Sequence, residues 1–158
     1  MSRHMTELTL VAWQLLSISV VLLVGCASER VQQGMIISLT GAQEVPQVST
    51  SATGNGQITV LTDRSVSGTV TTSGIAGTAA HIHEAAPGTN GPVIIPLTKI
   101  SENAWAVPAG AKLTESQYAS YRAGSLYVNV HSAAHPDGEI RAQIPSSPPP
   151  PPTRRSGY

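Results

Sequence analysis

Histidine is the residue whose chemistry stands out in this chain. Beyond His4, it occurs at His81, His83, His131 and His135. Imidazole titrates near neutrality and its unprotonated nitrogen is a good metal ligand. His81-Ile82-His83 sits in text that alternates as a strand does. Side chains two apart then project from one face, with Cα atoms about 6.6 Å apart at a rise of ~3.3 Å per residue. Two rings at that spacing can converge on one ion. In the stretch 125–131, Leu126, Val128 and Val130 make the apolar face, which turns Tyr127, Asn129 and His131 the other way. With Ala80 and Ile82 toward the core, His81, His83 and His131 share the non-core face if both strands lie in one sheet. His135 follows in the loop before Pro136-Asp137-Gly138, placed to fold back over the same spot. A histidine set without cysteine suits Cu(II) or Zn(II). Binding should weaken below roughly pH 6, because neutral imidazole is the ligand. Glu139 is a candidate to orient a ligand by accepting its second N–H. The same residues also admit a plainer reading, in which the His-X-His pair is a surface or hydrogen-bonding pair and His131 bonds to a nearby loop.

Other chemistry is sparse. No serine stands in a nucleophile-elbow context, and no phosphate-binding glycine loop precedes a helix. No two carboxylates are spaced for glycoside hydrolysis. Glu44 is a loop carboxylate without an evident partner. Glu139 and Arg141, two apart, are expected to share a strand face as an ion pair worth up to ~1 kcal/mol if exposed. Trp105 reads as core or sheet cover. Nine basic residues balance nine acidic ones, which argues against nucleic acid as a partner. Three functional classes remain. One is a binding module that holds Cu or Zn. Another is a structural or protein-interaction domain of the cell envelope without metal. A copper redox enzyme ranks last, because no second catalytic group is evident; the reading is therefore that the chain is not an enzyme.

The elements that must position these residues are short. Stretches rich in Val, Ile and Thr alternate with Gly, Pro, Asn and Ser clusters, the pattern of an antiparallel β domain. Strands are expected over 35–39, 57–61, 66–72, 79–84, 93–98, 104–107, 125–131 and 139–144. Gly54-Asn55-Gly56, Pro87-Gly88, Asn90-Gly91-Pro92 and Pro136-Asp137-Gly138 are read as linkers. This spacing predicts an all-β fold, an antiparallel sandwich or barrel-like domain. One short helix interrupts it: Thr114-Glu115-Ser116-Gln117 reads as a capping box, with Leu113 and Tyr118 placed as a hydrophobic staple and Gly124 as the stop.

The chain begins with an apolar run from Leu8 through Gly25 that ends at Cys26, the only cysteine. Leu23-Val24-Gly25-Cys26 resembles the lipobox of bacterial lipoproteins. The resemblance implies a signal peptide over 1–25, acylation (palmitate among the acyl chains) of Cys26, and a tether over 26–34. A domain over 35–145 and a proline-rich tail over 146–158 complete the organisation. A lipid on Cys26 would make the membrane a partner, with more than one acyl chain needed for stable anchoring. The competing reading of the run is a transmembrane anchor. Ala27 is not the aspartate associated with inner-membrane retention, which favours the outer membrane or cell surface.

Several motifs fall in the order of a known family. They are Leu39-Thr40-Gly41-Ala42-Gln43-Glu44-Val45-Pro46, Ala80-His81-Ile82-His83, Gly88-Thr89-Asn90-Gly91-Pro92-Val93, and Ala123 to Ser132. Pro136-Asp137-Gly138-Glu139-Ile140-Arg141 closes the series. Together they resemble the CHRD (chordin) domain over about 37–144. The resemblance implies an extracellular all-β module, first noted in a binder of growth factors, with its motif histidines at His81, His83 and His131. His135 is less regular in that family. The His-X-His strand is also similar to the copper-binding strand of copper–zinc superoxide dismutases. Their paired cysteines and bridging histidine are missing, so dismutase activity does not follow.

Overall fold

The computed structural model describes residues 34–146. The expected signal segment, Cys26, the expected tether up to residue 33 and the proline run lie outside the described residues. Among the described residues, nine strands form one antiparallel sheet. In chain order they are β1 (Met35–Thr40), β2 (Thr53–Val60), β3 (Val66–Ser73), β4 (Gly77–Glu84), β5 (Val93–Pro96), β6 (Thr98–Ser101), β7 (Ala104–Ala106), β8 (Leu126–Ser132) and β9 (Ile140–Gln143). Their order across the sheet is β5-β4-β8-β9-β1-β2-β3-β7-β6. The sheet nearly closes into a barrel because β5 and β6 run almost without interruption. β5 pairs with β4 at one end and β6 with β7 at the other. Between them Leu97 N–H donates to Ala80 O at 2.9 Å, and Lys99 Nζ donates to Gly77 O at 2.7 Å.

Alternation fills the interior. Leu39, Ile58, Val70, Ile82, Val128, Val130 and Ile140 are all buried in one core, with Trp105 beside them. Each such aliphatic side chain contributes about 1.5–3 kcal/mol by leaving water. The expected strand 93–98 is divided at Leu97, where the chain changes partner. Gly54-Asn55-Gly56, read as a linker, lies inside β2 instead. The inward positions there are too tight for side chains: a Cβ on Gly56 would stand 2.9 Å from Thr69 O, and one on Gly54 3.2 Å from Ile140. Glycine here signals close strand approach rather than a turn.

The helix α1 (Glu115–Arg122) carries the expected capping box. Gln117 N–H donates to Thr114 Oγ1 at 3.2 Å, and Thr114 N–H donates to Gln117 Oε1 at 2.9 Å. Gly124 follows with φ +72°. The helix turns Tyr121 into the core. At two turns it depends on its caps, so Thr114→Ala is expected to lower unfolding free energy by about 1 kcal/mol in a denaturant titration.

The opposite face of β4, β8 and β9 is not open. Every residue of β8 is buried. The segments 41–50, 85–92 and 133–138 contribute side chains and carbonyls over this face, and a second, polar interior forms beneath them.

Candidate functional site

β4 and β8 are neighbours, with Ala79 opposite His131, His81 opposite Asn129, and His83 opposite Tyr127. This register puts the three histidines on the non-core face and brings them together. Their available ring nitrogens all lie within 4.8 Å of one another. His81 Nδ1 stands 3.0 Å from His131 Nε2. His81 is half-buried, whereas His83 and His131 are buried.

Backbone carbonyls fix two of the rings. His83 Nδ1 donates to Gly91 O at 2.9 Å, and His131 Nδ1 donates to Pro136 O at 2.8 Å. Each bond places the proton on Nδ1 and leaves a lone pair on Nε2, the arrangement that orients metal-binding imidazoles. His83 Nε2 is buried with no hydrogen-bond partner, an arrangement that is costly without a ligand. The His83 ring stacks on Tyr127 (4.7 Å, 10°), whose hydroxyl accepts from Gly91 N–H. Arg141 Cζ lies 3.4 Å from the Tyr127 ring centre. Tyr127 is on the strand between β4 and β9, so it separates His83 from Arg141.

His135 lies outside the cluster. The turn after β8, held by mutual backbone bonds between Ser132 and His135, delivers the Pro136 carbonyl to His131 and leaves His135 lining a small cavity with Glu44. Glu139 does not orient a histidine either. Its carboxylate accepts from Thr50 Oγ1 at 2.7 Å and from Ser132 Oγ. The expected Glu139–Arg141 pair is replaced by separate attachments, Arg141 donating to Asn90 Oδ1 and Gln143 Oε1. Sequence reasoning missed Gly91 and Pro136 because a carbonyl's role leaves no mark in residue type. It missed Glu44 as a buried group because the covering loop follows no strand periodicity.

Electrostatics keep the cluster ready for a cation. Burial, then the facing rings of His131 and His83, hold His81 below its ordinary pKa. Burial, helped by the charges of His131 and Arg141, also lowers His83, against the raising effects of the Gly91 carbonyl and Asn129. No hydrogen bond of ordinary geometry reaches His83 Nε2, so Asn129 acts there as a nearby dipole. Both rings are neutral at pH 7. An unfolded chain takes up these protons below its pKa of about 6.5, and the folded chain resists. The histidines therefore make stability fall as pH drops below that value.

Glu44 acts in the opposite sense. Burial outweighs the Arg141 charge and pushes its carboxyl from 4.5 to about 7. The folded state then binds more protons than the unfolded one between those values, so this group lowers stability as pH rises through them. Glu44→Gln is expected to stabilise the protein by ~2 kcal/mol more at about pH 8 than at about pH 4.5, as read from paired denaturant titrations.

Geometry thus defines a small antiparallel β-barrel with a convergent trio of histidines on its covered outer face. The CHRD domain model matches residues 35–144, and the chain belongs to the CHRD domain family. No curated protein and no solved structure matches it.

Proposed function

We propose that this chain is a lipid-anchored, extracytoplasmic CHRD module that holds Cu(II) or Zn(II) on His81, His83 and His131. The supporting observation is the meeting of three ring nitrogens within 4.8 Å, with two rings locked in the ligating tautomer by carbonyls. In a tetrahedral site with bonds of about 2.0–2.1 Å, ligand atoms stand roughly 3.3 Å apart. The His81–His131 pair already meets that spacing at 3.0 Å. The widest separation must close by up to about 1.5 Å, which side-chain rotation can supply. Such an ion would supply a Lewis-acidic or, as copper, a redox-active centre. Calorimetric titration of the full chain with Cu(II) and with Zn(II) tests the reading. Micromolar or tighter binding that is lost in the His81→Ala/His83→Ala variant is expected. Affinity no better than about 1 mM, or unchanged in that variant, contradicts it.

The membrane is the second partner proposed, through acyl chains on Cys26, with the outer membrane or cell surface as the location. The apolar run ending at the single cysteine supports this. Radiolabelled palmitate should enter the wild-type chain in its bacterial host and fail to enter Cys26→Ser. Equal labelling of both contradicts it.

A metal-free reading has one observation of its own: His81 and His131 can satisfy each other by a direct hydrogen bond. In that reading the rings latch the 85–92 and 133–138 segments to the sheet, and an envelope or extracellular protein is the partner.

A further inference from the structure

We infer that the cleft floored by Arg141 and Gln143, between the 41–50 and 85–92 segments, binds a small organic carboxylate. This cleft has a volume of about 430 Å³ and is walled by Val45, Pro46 and Pro87, within the range of small-molecule sites. Asn90 spans its two walls by donating to Val45 O at 2.6 Å.

Arg141 is almost completely buried (1 % exposed). Its hydrogen bonds go to neutral amide oxygens, at 3.2 Å to Asn90 and 3.4 Å to Gln143. Both are long for a guanidinium, which forms its strongest bonds with an anion. The acidic group beside it in the cleft is Glu44, 5 % exposed; its Oε1, which has no hydrogen-bond partner, is buried on the Gly138 side. Because that carboxyl is held protonated up to about pH 7, it balances the Arg141 charge incompletely and has a proton to donate. A ligand carboxylate answers both needs: it accepts from the guanidinium and from the protonated Glu44. Val45, Pro46 and Pro87 give the cleft an apolar side, next to the polar Gln43 and Gln47, which fits a monocarboxylate with a short hydrocarbon body. The other titratable groups around Glu44 are His135 and Asp137, across a second cavity that shares Glu44 with the first.

Tyr127 stands between this site and the histidine cluster, but the two share the 85–92 segment and the Arg141 charge is felt at His83. Benzoate and acetate are therefore titrated into the full chain by calorimetry in the presence of EDTA, so that no carboxylate held by a metal is counted. Saturable benzoate binding, tighter than that of acetate, is expected at about pH 6. It should weaken about tenfold by about pH 8, following loss of the Glu44 proton. Glu44→Gln should flatten that dependence, because an amide donates at either pH. Arg141→Lys, verified as folded by circular dichroism, should bind at least about tenfold more weakly, since an ammonium lacks the planar fork. No saturable binding to the wild-type chain up to about 10 mM benzoate, or equal affinity in Arg141→Lys, overturns the inference.

Discussion

Replacing His131 by alanine is expected to weaken Cu(II) or Zn(II) binding by at least about 100-fold, more than a change at any surface residue. Its ring is the hub of the cluster: Nε2 faces His81, and Nδ1–H is anchored on Pro136 O. Alanine removes one of three donors and also frees the 133–138 turn. Two effects should therefore separate on measurement. Without metal, loss of the anchoring bond should cost about 1–2 kcal/mol. With metal at 100 times its dissociation constant, the wild-type chain should gain about 2.7 kcal/mol that the variant does not. Thermal unfolding with and without Zn(II) reads both. A metal-induced shift of equal size in wild type and His131→Ala would remove His131 from the site.

Gly91→Ala should produce the second largest effect, without touching a ligand. A Cβ at Gly91 would fall 1.9 Å from Glu84 O and 2.8 Å from the Ala85 Cβ, so the backbone must move. That backbone holds the site on both sides, its carbonyl taking His83 Nδ1–H and its N–H binding the Tyr127 hydroxyl. Displacing it releases the His83 tautomer and unstacks the ring. Loss of such an orienting bond typically costs 10–100-fold in metal affinity. Gly88→Ala is the matched control, since a Cβ there meets nothing within 4 Å. Its φ of +76° makes alanine strained but leaves His83 in place. Calorimetric titration should rank wild type and Gly88→Ala together, with Gly91→Ala well below.

Much of this arrangement is legible in the amino-acid sequence. Period-two alternation fixed which faces His81, His83 and His131 use, because a strand allows a side chain only two directions. Cap chemistry fixed α1, because Thr114 and Gln117 satisfy each other's backbone locally. The barrel's closure was not legible. It depends on one strand changing partners at Leu97, a pairing that no local pattern encodes. Nor was the polar interior. Arg141, Glu44 and Asn129 look like surface residues in a sequence, since burying them costs free energy unless distant segments cover and pair them. Those segments meet only in the folded chain. Glycine misled in β2, where tight strand approach and turn propensity call for the same residue.

The account rests on three imidazoles sharing one ion. Pulsed electron paramagnetic resonance of the Cu(II)-loaded full chain counts the imidazole rings coupled to the metal. Three rings in the wild-type protein, reduced to two in His81→Ala, are expected. One ring or none, or a spectrum indifferent to His81→Ala, would contradict it.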